Sequence, residues 1–159
     1  MKQNKLAQEN LNIKNFKFAI VVSNWNEIIT SNLLNGSLTF FSKYNVGMDS
    51  IFIVKCSGAF ELPLTCQFLC ESKKYDGIVA LGCIIRGDTP HFEFVSNETS
   101  SGIMNTMLKY DIPIGFGLLT VDTYDQAVLR SNDNVSNKGY EAAQAVSEML
   151  ILKSKILEG

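Results

Sequence analysis

The chain predicts an α/β fold, a three-layer α/β/α sandwich around a four-stranded parallel sheet. Two observations carry that prediction. Short, nearly continuous apolar runs alternate with stretches of helical periodicity, and strands of that kind are buried on both faces, which in an alternating chain implies a parallel sheet covered by helices. At 159 residues, 46% hydrophobic and 19% charged, the chain is long enough for one well-buried core and too short for two comfortable domains. The expectation is a single domain over 1–159, with residues 1–13 as a polar tail of the sort that can add a strand to a neighbour's sheet.

The elements follow in order. FKFAIVVS (Phe16–Ser23) is a β-rich run, and the stretch after it carries Ile28, Ile29, Leu33, Leu34, Leu38 and Phe41 near helical spacing. The couplet returns as SIFIVKC then ELPLTCQFLCESKKY, as GIVALGCII then HFEFVSNETSSGIMNTMLKY, and as PIGFGLLT then TYDQAVLRS. A last amphipathic stretch runs from Asn137 to about Leu157. Between the final two helices lies SNDNVSN (Ser131–Asn137), a polar turn.

Charge and cysteine usage exclude several functions. Formal net charge is -2 and no block of Lys or Arg occurs, so the electrostatic footprint for nucleic acid or an anionic membrane is missing. The four cysteines, Cys56, Cys66, Cys70 and Cys83, lack paired CxxC spacing, and with one histidine in the chain no protein zinc site is expected. They read as buried reduced thiols. The N-terminus lacks the apolar core of a signal peptide, and the apolar run after it is too short to span a bilayer. A cytoplasmic protein is expected.

Ligands of an open parallel sheet bind beyond the carboxyl ends of the strands, so the strand exits are the candidate sites. The first carries Asn24-Trp25-Asn26, with the only Trp; the second Ser57-Gly58-Ala59-Phe60-Glu61; the third Arg86-Gly87-Asp88-Thr89-Pro90-His91; the fourth Thr120-Val121-Asp122. His91, the only histidine, follows a proline suited to a helix start, where the macrodipole disfavours a second positive charge and leaves an imidazole able to exchange protons. The Gly87-Asp88-Thr89 backbone would cradle a phosphate above that helix end. Spacing equally allows a helix cap with His91 as a surface residue. Trp25 and Phe60 could be ordinary core aromatics, Glu61 a helix-start carboxylate, and Arg130 and Lys138 solvated charges.

Taken together these blocks resemble the lumazine synthase family. The likeness runs collinearly from Phe18 to about Leu152 through Trp25-Asn26, GAFELP (Gly58–Pro63), LGCIIRGDTPHFEFV with Asn97-Glu98, PIGFGLLT, QAVLR ending in Arg130, and NKG (Asn137–Gly139). The resemblance implies a flavodoxin-like sandwich and a transferase of riboflavin biosynthesis. The reaction condenses 5-amino-6-(D-ribitylamino)uracil with 3,4-dihydroxy-2-butanone 4-phosphate to give 6,7-dimethyl-8-ribityllumazine, phosphate and water, with no cofactor and no metal.

The same resemblance distributes the residues. Trp25 stacks on the pyrimidine; Ala59, Phe60 and Glu61 hold the ribityl chain; Cys83, Ile84 and Ile85 meet the uracil through backbone atoms. Asp88 and Thr89 receive the phosphate-bearing substrate, and His91 transfers protons. A neighbouring subunit supplies Phe116 and Arg130, the latter as phosphate ligand with help from Lys138. A homo-oligomer of pentamers follows, with riboflavin synthase as a candidate partner. The short turn from Arg130 to Lys138 favours a shell of sixty subunits in twelve pentamers. Asn132, Asn134 and Asn137 would replace missing glycines at any φ > 0 position.

Three positions depart from the family pattern: Ser57 stands for the usual Pro, Trp25 for the commoner Phe, and SNDNVSN lacks glycine. Two rivals share the fold, an archaeal-type riboflavin synthase and a non-catalytic flavin- or lumazine-binding shell protein. The full RGDTPHFEFV run with Arg130 and Lys138 argues against the first, and retention of His91, Arg130 and Glu61 against the second.

Overall fold

The computed structural model describes residues 11–133 and 136–158. Along the chain come β1 (Phe18–Ser23), α1 (Glu27–Lys43), β2 (Ile51–Cys56), α2 (Leu62–Glu71), β3 (Gly77–Ile85), α3 (His91–Tyr110), β4 (Ile114–Val121), α4 (Tyr124–Ser131) and α5 (Lys138–Glu158). All strand pairings are parallel and the order is β2-β1-β3-β4. β3 and α3 coincide with GIVALGCII and HFEFVSNETSSGIMNTMLKY.

The period-2 alternation of β1 explains the three layers. Phe18, Ile20 and Val22 face α1, α4 and α5, where they meet Leu33, Phe41, Ala127 and Val146; Ala19 and Val21 face α2 and α3, where they meet Leu62, Cys66 and Ile103. Fully burying one such large apolar side chain stabilises the fold by roughly 1.5–3 kcal/mol. Rings lock the first of these layers, with Phe18 and Phe41 centroids 4.4 Å apart and Tyr140 edge-on to Phe40 at 5.1 Å. α1 and α5 cross so closely that a Cβ on Gly139 would lie 1.9 Å from the Leu33 carbonyl oxygen, so only glycine fits.

Two expectations need correction. SIFIVKC was expected to be buried on both faces, yet β2 is an edge strand with Phe52 46% and Ile53 36% exposed, because among the described residues only β1 pairs with it. Composition cannot distinguish such an edge from a central strand. The polar tail also ends earlier than expected. Ile13 is fully buried in the α1/α5 layer, and its carbonyl accepts the Phe16 N–H at 3.1 Å. Residues 1–10, and the strand proposed for them, lie outside the described residues.

In the turn before α5, Asn134 lies outside the described residues. Positive φ among the described non-glycine residues occurs at Asn26, Asn45, Lys73 and Asp111, so neither Asn132 nor Asn137 adopts the left-handed geometry considered for them. Asn137 acts instead through its side chain. Its Nδ2 donates to the carbonyls of Asn32 (3.0 Å), Ser131 (2.8 Å) and Asn132 (3.2 Å). Its Oδ1 accepts the N–H groups of Gly139 (2.8 Å) and Tyr140 (3.2 Å), which opens α5.

Candidate active site

From β1 the chain runs outward to β2 and then back across to β3, so β1 and β3 flank the point where the strand order reverses. The crevice above their carboxyl ends is where an open α/β sheet receives ligands. Here a cavity of about 360 Å³ opens between Trp25, Asn26, Gly58, Ala59, Cys83, Ile84, Ile85, His91 and Val95.

Its first wall is the β1 exit. Asn26 adopts a left-handed conformation (φ 58°, ψ 50°) that asparagine tolerates better than most residues, and this turns the chain sharply into α1. Its Nδ2 donates to the Cys83 carbonyl at 3.0 Å, tying the β1 exit to β3. Trp25 is thereby displayed at the rim, 72% exposed. A Cβ on Gly58 would approach Trp25 Cδ1 and Glu61 Oε2 to 3.1 Å each, so the glycine makes room for the indole. Ala59 is buried, and its carbonyl accepts the Thr99 hydroxyl at 3.3 Å, which seats the loop on α3. Phe60 and Glu61 stand exposed beside it.

The floor is the end of β3. Pairing with β1 stops at Val22↔Leu81, whereas pairing with β4 continues to Ile85↔Val121. Cys83, Ile84 and Ile85 therefore project beyond β1 with one backbone edge outside the ladder. That edge is suited to hydrogen bonding with a planar heterocycle. The buried Cys83 thiol is pushed up to about 11 by desolvation, so it remains protonated at neutral pH and is no nucleophile.

The third wall is the β3–α3 turn. Pro90 (φ -63°) precedes α3, so His91 is its first residue, as the sequence predicts, and it lines the cavity. Asp88 and Thr89 are exposed on the turn, and Thr89 Oγ1 accepts the His91 N–H at 3.5 Å. Arg86, for which no role is legible in the sequence, organises this turn. Its Nε donates to Asp122 Oδ1 at 2.8 Å, its Nη1 pairs with Glu93 Oε1, and its guanidinium lies 4.2 Å over the Phe92 ring. The hydrogen bond from Arg86 holds the Glu93 carboxyl below its ordinary range.

Phe116, Arg130 and Lys138 do not line this cavity. Phe116 is 48% exposed on edge strand β4, Arg130 Nη1 donates to the Gln126 carbonyl at 3.0 Å, and Lys138 pairs with Glu141 at 2.6 Å. The structure thus brings Trp25, Ala59, Cys83, Ile84, Ile85 and His91 together in one chain and leaves Phe60, Glu61, Asp88 and Thr89, like Phe116, Arg130 and Lys138, outside the cavity lining. Asn26 and Arg86 are the residues the sequence reading left without a role. Their signal is tertiary, since each acts by bonding to a different strand exit.

The family model for 6,7-dimethyl-8-ribityllumazine synthase matches residues 15–154. The chain belongs to the lumazine synthase family. The 6,7-dimethyl-8-ribityllumazine synthase of Desulfovibrio desulfuricans is 45% identical over 140 residues, covering 88% of this chain and 90% of its own length. That of Nitratidesulfovibrio vulgaris is 45% identical over 144 residues (91% and 92%), and that of Helicobacter acinonychis 46% over 138 residues (87% and 88%). As a member of this family the chain is a transferase of riboflavin biosynthesis, which forms the lumazine by condensing the ribitylaminouracil with the butanone phosphate. Neither rival reading is favoured.

Proposed function

We propose that this member of the lumazine synthase family performs its condensation in the β1/β3 cavity. The observation that carries this reading is the meeting, in about 360 Å³, of an exposed indole, a strand end that runs beyond its pairing with β1, and the only histidine. Trp25 stacks on the pyrimidine while the backbone of Cys83, Ile84 and Ile85 reads its edge. Ala59, Phe60 and Glu61 hold the ribityl chain. Asp88 and Thr89 offer backbone N–H groups to the phosphate at the start of α3, the Asp88 carboxylate turning away from the dianion.

His91 then serves the proton transfers in turn. The exocyclic amine attacks the ketone and an imine forms with loss of water; phosphate leaves; the enol tautomerises; and ring closure expels a second water. One imidazole beside the phosphate can take and return these protons. Holding two flexible substrates together supplies much of the remaining acceleration. Mixing the purified protein with both substrates should give the absorbance of the lumazine. No absorbance change with either order of addition would sink the assignment.

Arg130, Phe116 and Lys138 complete the site from a neighbouring chain in this reading, so the active form is a pentamer. The outward faces of α2 and α3 support it, with Leu64, Phe68, Phe94, Met104 and Leu108 each at least half exposed on one chain. The short Arg130–Lys138 turn favours assembly of twelve pentamers into a hollow shell able to hold riboflavin synthase. A cytoplasmic setting fits the four free thiols. No helix among the described residues is long and apolar enough to cross a membrane.

A further inference from the structure

The turn that receives the phosphate has little of its own to hold it. Gly87 has no atom within 4 Å of where a Cβ would stand, and Pro90 offers no N–H; α3 has no side-chain cap at its N-cap residue. Thr89 reaches His91 only at the 3.5 Å limit of a hydrogen bond. Both ends of the turn are instead fastened by one residue. The Arg86 N–H donates to the Val121 carbonyl at 2.9 Å and Nε to Asp122 at 2.8 Å, fixing the entrance to the β4 exit. Nη1 pairs with Glu93 and the guanidinium covers Phe92, fixing the exit through the first turn of α3.

We propose that Arg86 is the positioning residue of this active site, a clamp that sets the Gly87–Pro90 turn and His91 against the end of the sheet. It also neutralises the Asp122 and Glu93 carboxylates, which would otherwise stand beside an arriving phosphate dianion. The inference rests on the placement of the phosphate turn and His91 given above. Side-chain exposure of 43% for Arg86, 48% for Glu93 and 64% for Asp122 means the ion pairs add little to folding. Their effect is on geometry and local charge.

Arg86→Met keeps an aliphatic stem over Phe92 and loses both ion pairs. Its KM for the butanone phosphate should rise about tenfold and kcat fall about tenfold, while KM for the pyrimidine stays within about twofold. Arg86→Lys keeps the charge without the fork and should recover KM more than kcat. Amide exchange at residues 88–93 should speed by about tenfold in Arg86→Met at unchanged melting temperature. Unchanged exchange there, or parallel rises in both KM values with a lowered melting temperature, overturns the clamp. The exchange readout needs no turnover: if the unaltered protein makes no lumazine but exchange rises as expected, the placement of the chemistry fails and the clamp stands.

Discussion

Replacing Trp25 by alanine separates a stacking platform from a surface aromatic. The ring is 72% exposed, so its removal should change folding stability by no more than about 0.5 kcal/mol. Ring-on-base stacking is worth about 1–3 kcal/mol when an aromatic is cut to alanine. That range corresponds to a loss of about fivefold to about 150-fold in apparent affinity for the pyrimidine. Stacking is made in both ground and transition states, so most of the loss belongs in KM and little in kcat. The butanone phosphate, an aliphatic substrate, should be nearly unaffected. Trp25→Phe, with a smaller ring, should stay within about fivefold of the parent. The assay has a built-in reporter, because Trp25 is the only tryptophan and its emission reports this ring alone. Saturating pyrimidine should quench it. Unchanged emission together with an unchanged pyrimidine KM in Trp25→Ala would refute the stacking role.

Arg130→Ala should weaken use of the butanone phosphate by about 2–3 kcal/mol, the scale of hydrogen bonds to charged groups, and spare the pyrimidine. Equal KM changes for both substrates argue against it. His91→Ala should lower kcat by roughly one to two orders of magnitude and flatten the rate profile near neutrality, because proximity persists without the imidazole. Full kcat with an unaltered profile would leave His91 a helix-start residue only. The Tyr110 hydroxyl donates to Glu71 at 2.6 Å; this lowers the Glu71 carboxyl below its ordinary value near 4.5 and raises the phenol above its ordinary value near 10.0. Stability from Glu71 is complete above pH 4.5 and lost as pH falls through the depressed value; that from Tyr110 is complete below pH 10.0 and lost as pH rises through the elevated one. Melting curves across pH should therefore show both shoulders shrinking in Tyr110→Phe, and identical curves would deny the bond.

The layers were legible because strand and helix periods differ and each apolar run is long enough to show its period. The strand exits were legible for the same reason: once the runs are placed, Trp25, Gly58–Glu61 and Arg86–His91 must lie at one end of the sheet. What could not be read was which exits touch. The cavity depends on β3 outrunning β1 by several residues, a difference in register that neither strand's composition records. Asn26 and Arg86 belong to the same class. An asparagine at a helix start and an arginine in a turn are ordinary residues until their partners, the Cys83 carbonyl and the Asp122 and Glu93 carboxylates, are known. Exposure of β2 was missed because edge position follows from strand order.

Asn137 shows how far a polar turn can be governed from outside itself. Read locally, SNDNVSN is a loop whose asparagines serve as substitutes for glycine. In the fold, Asn137 is 2% exposed and its one amide joins three elements. It collects the carbonyls of Ser131 and Asn132 at the end of α4 and of Asn32 in α1, and it gives its oxygen to the first N–H groups of α5. A buried amide with both ends engaged fixes one geometry, because rotating it would leave several polar groups unpaired at about 1–3 kcal/mol each. The neighbouring Gly139 lets α5 approach α1 closely enough for those bonds to form. The α4–α5 junction is thus held at its α5 end by one amide, whose bonds to the turn and to α5 are local and whose bond to Asn32 reaches α1. Arg130, one residue before Ser131, and Lys138, one residue after Asn137, stand on either side of this knot. Arg130 is placed by α4 and Lys138 by the start of α5, so the Asn137 amide sets the spacing of the two charges without a glycine in the turn.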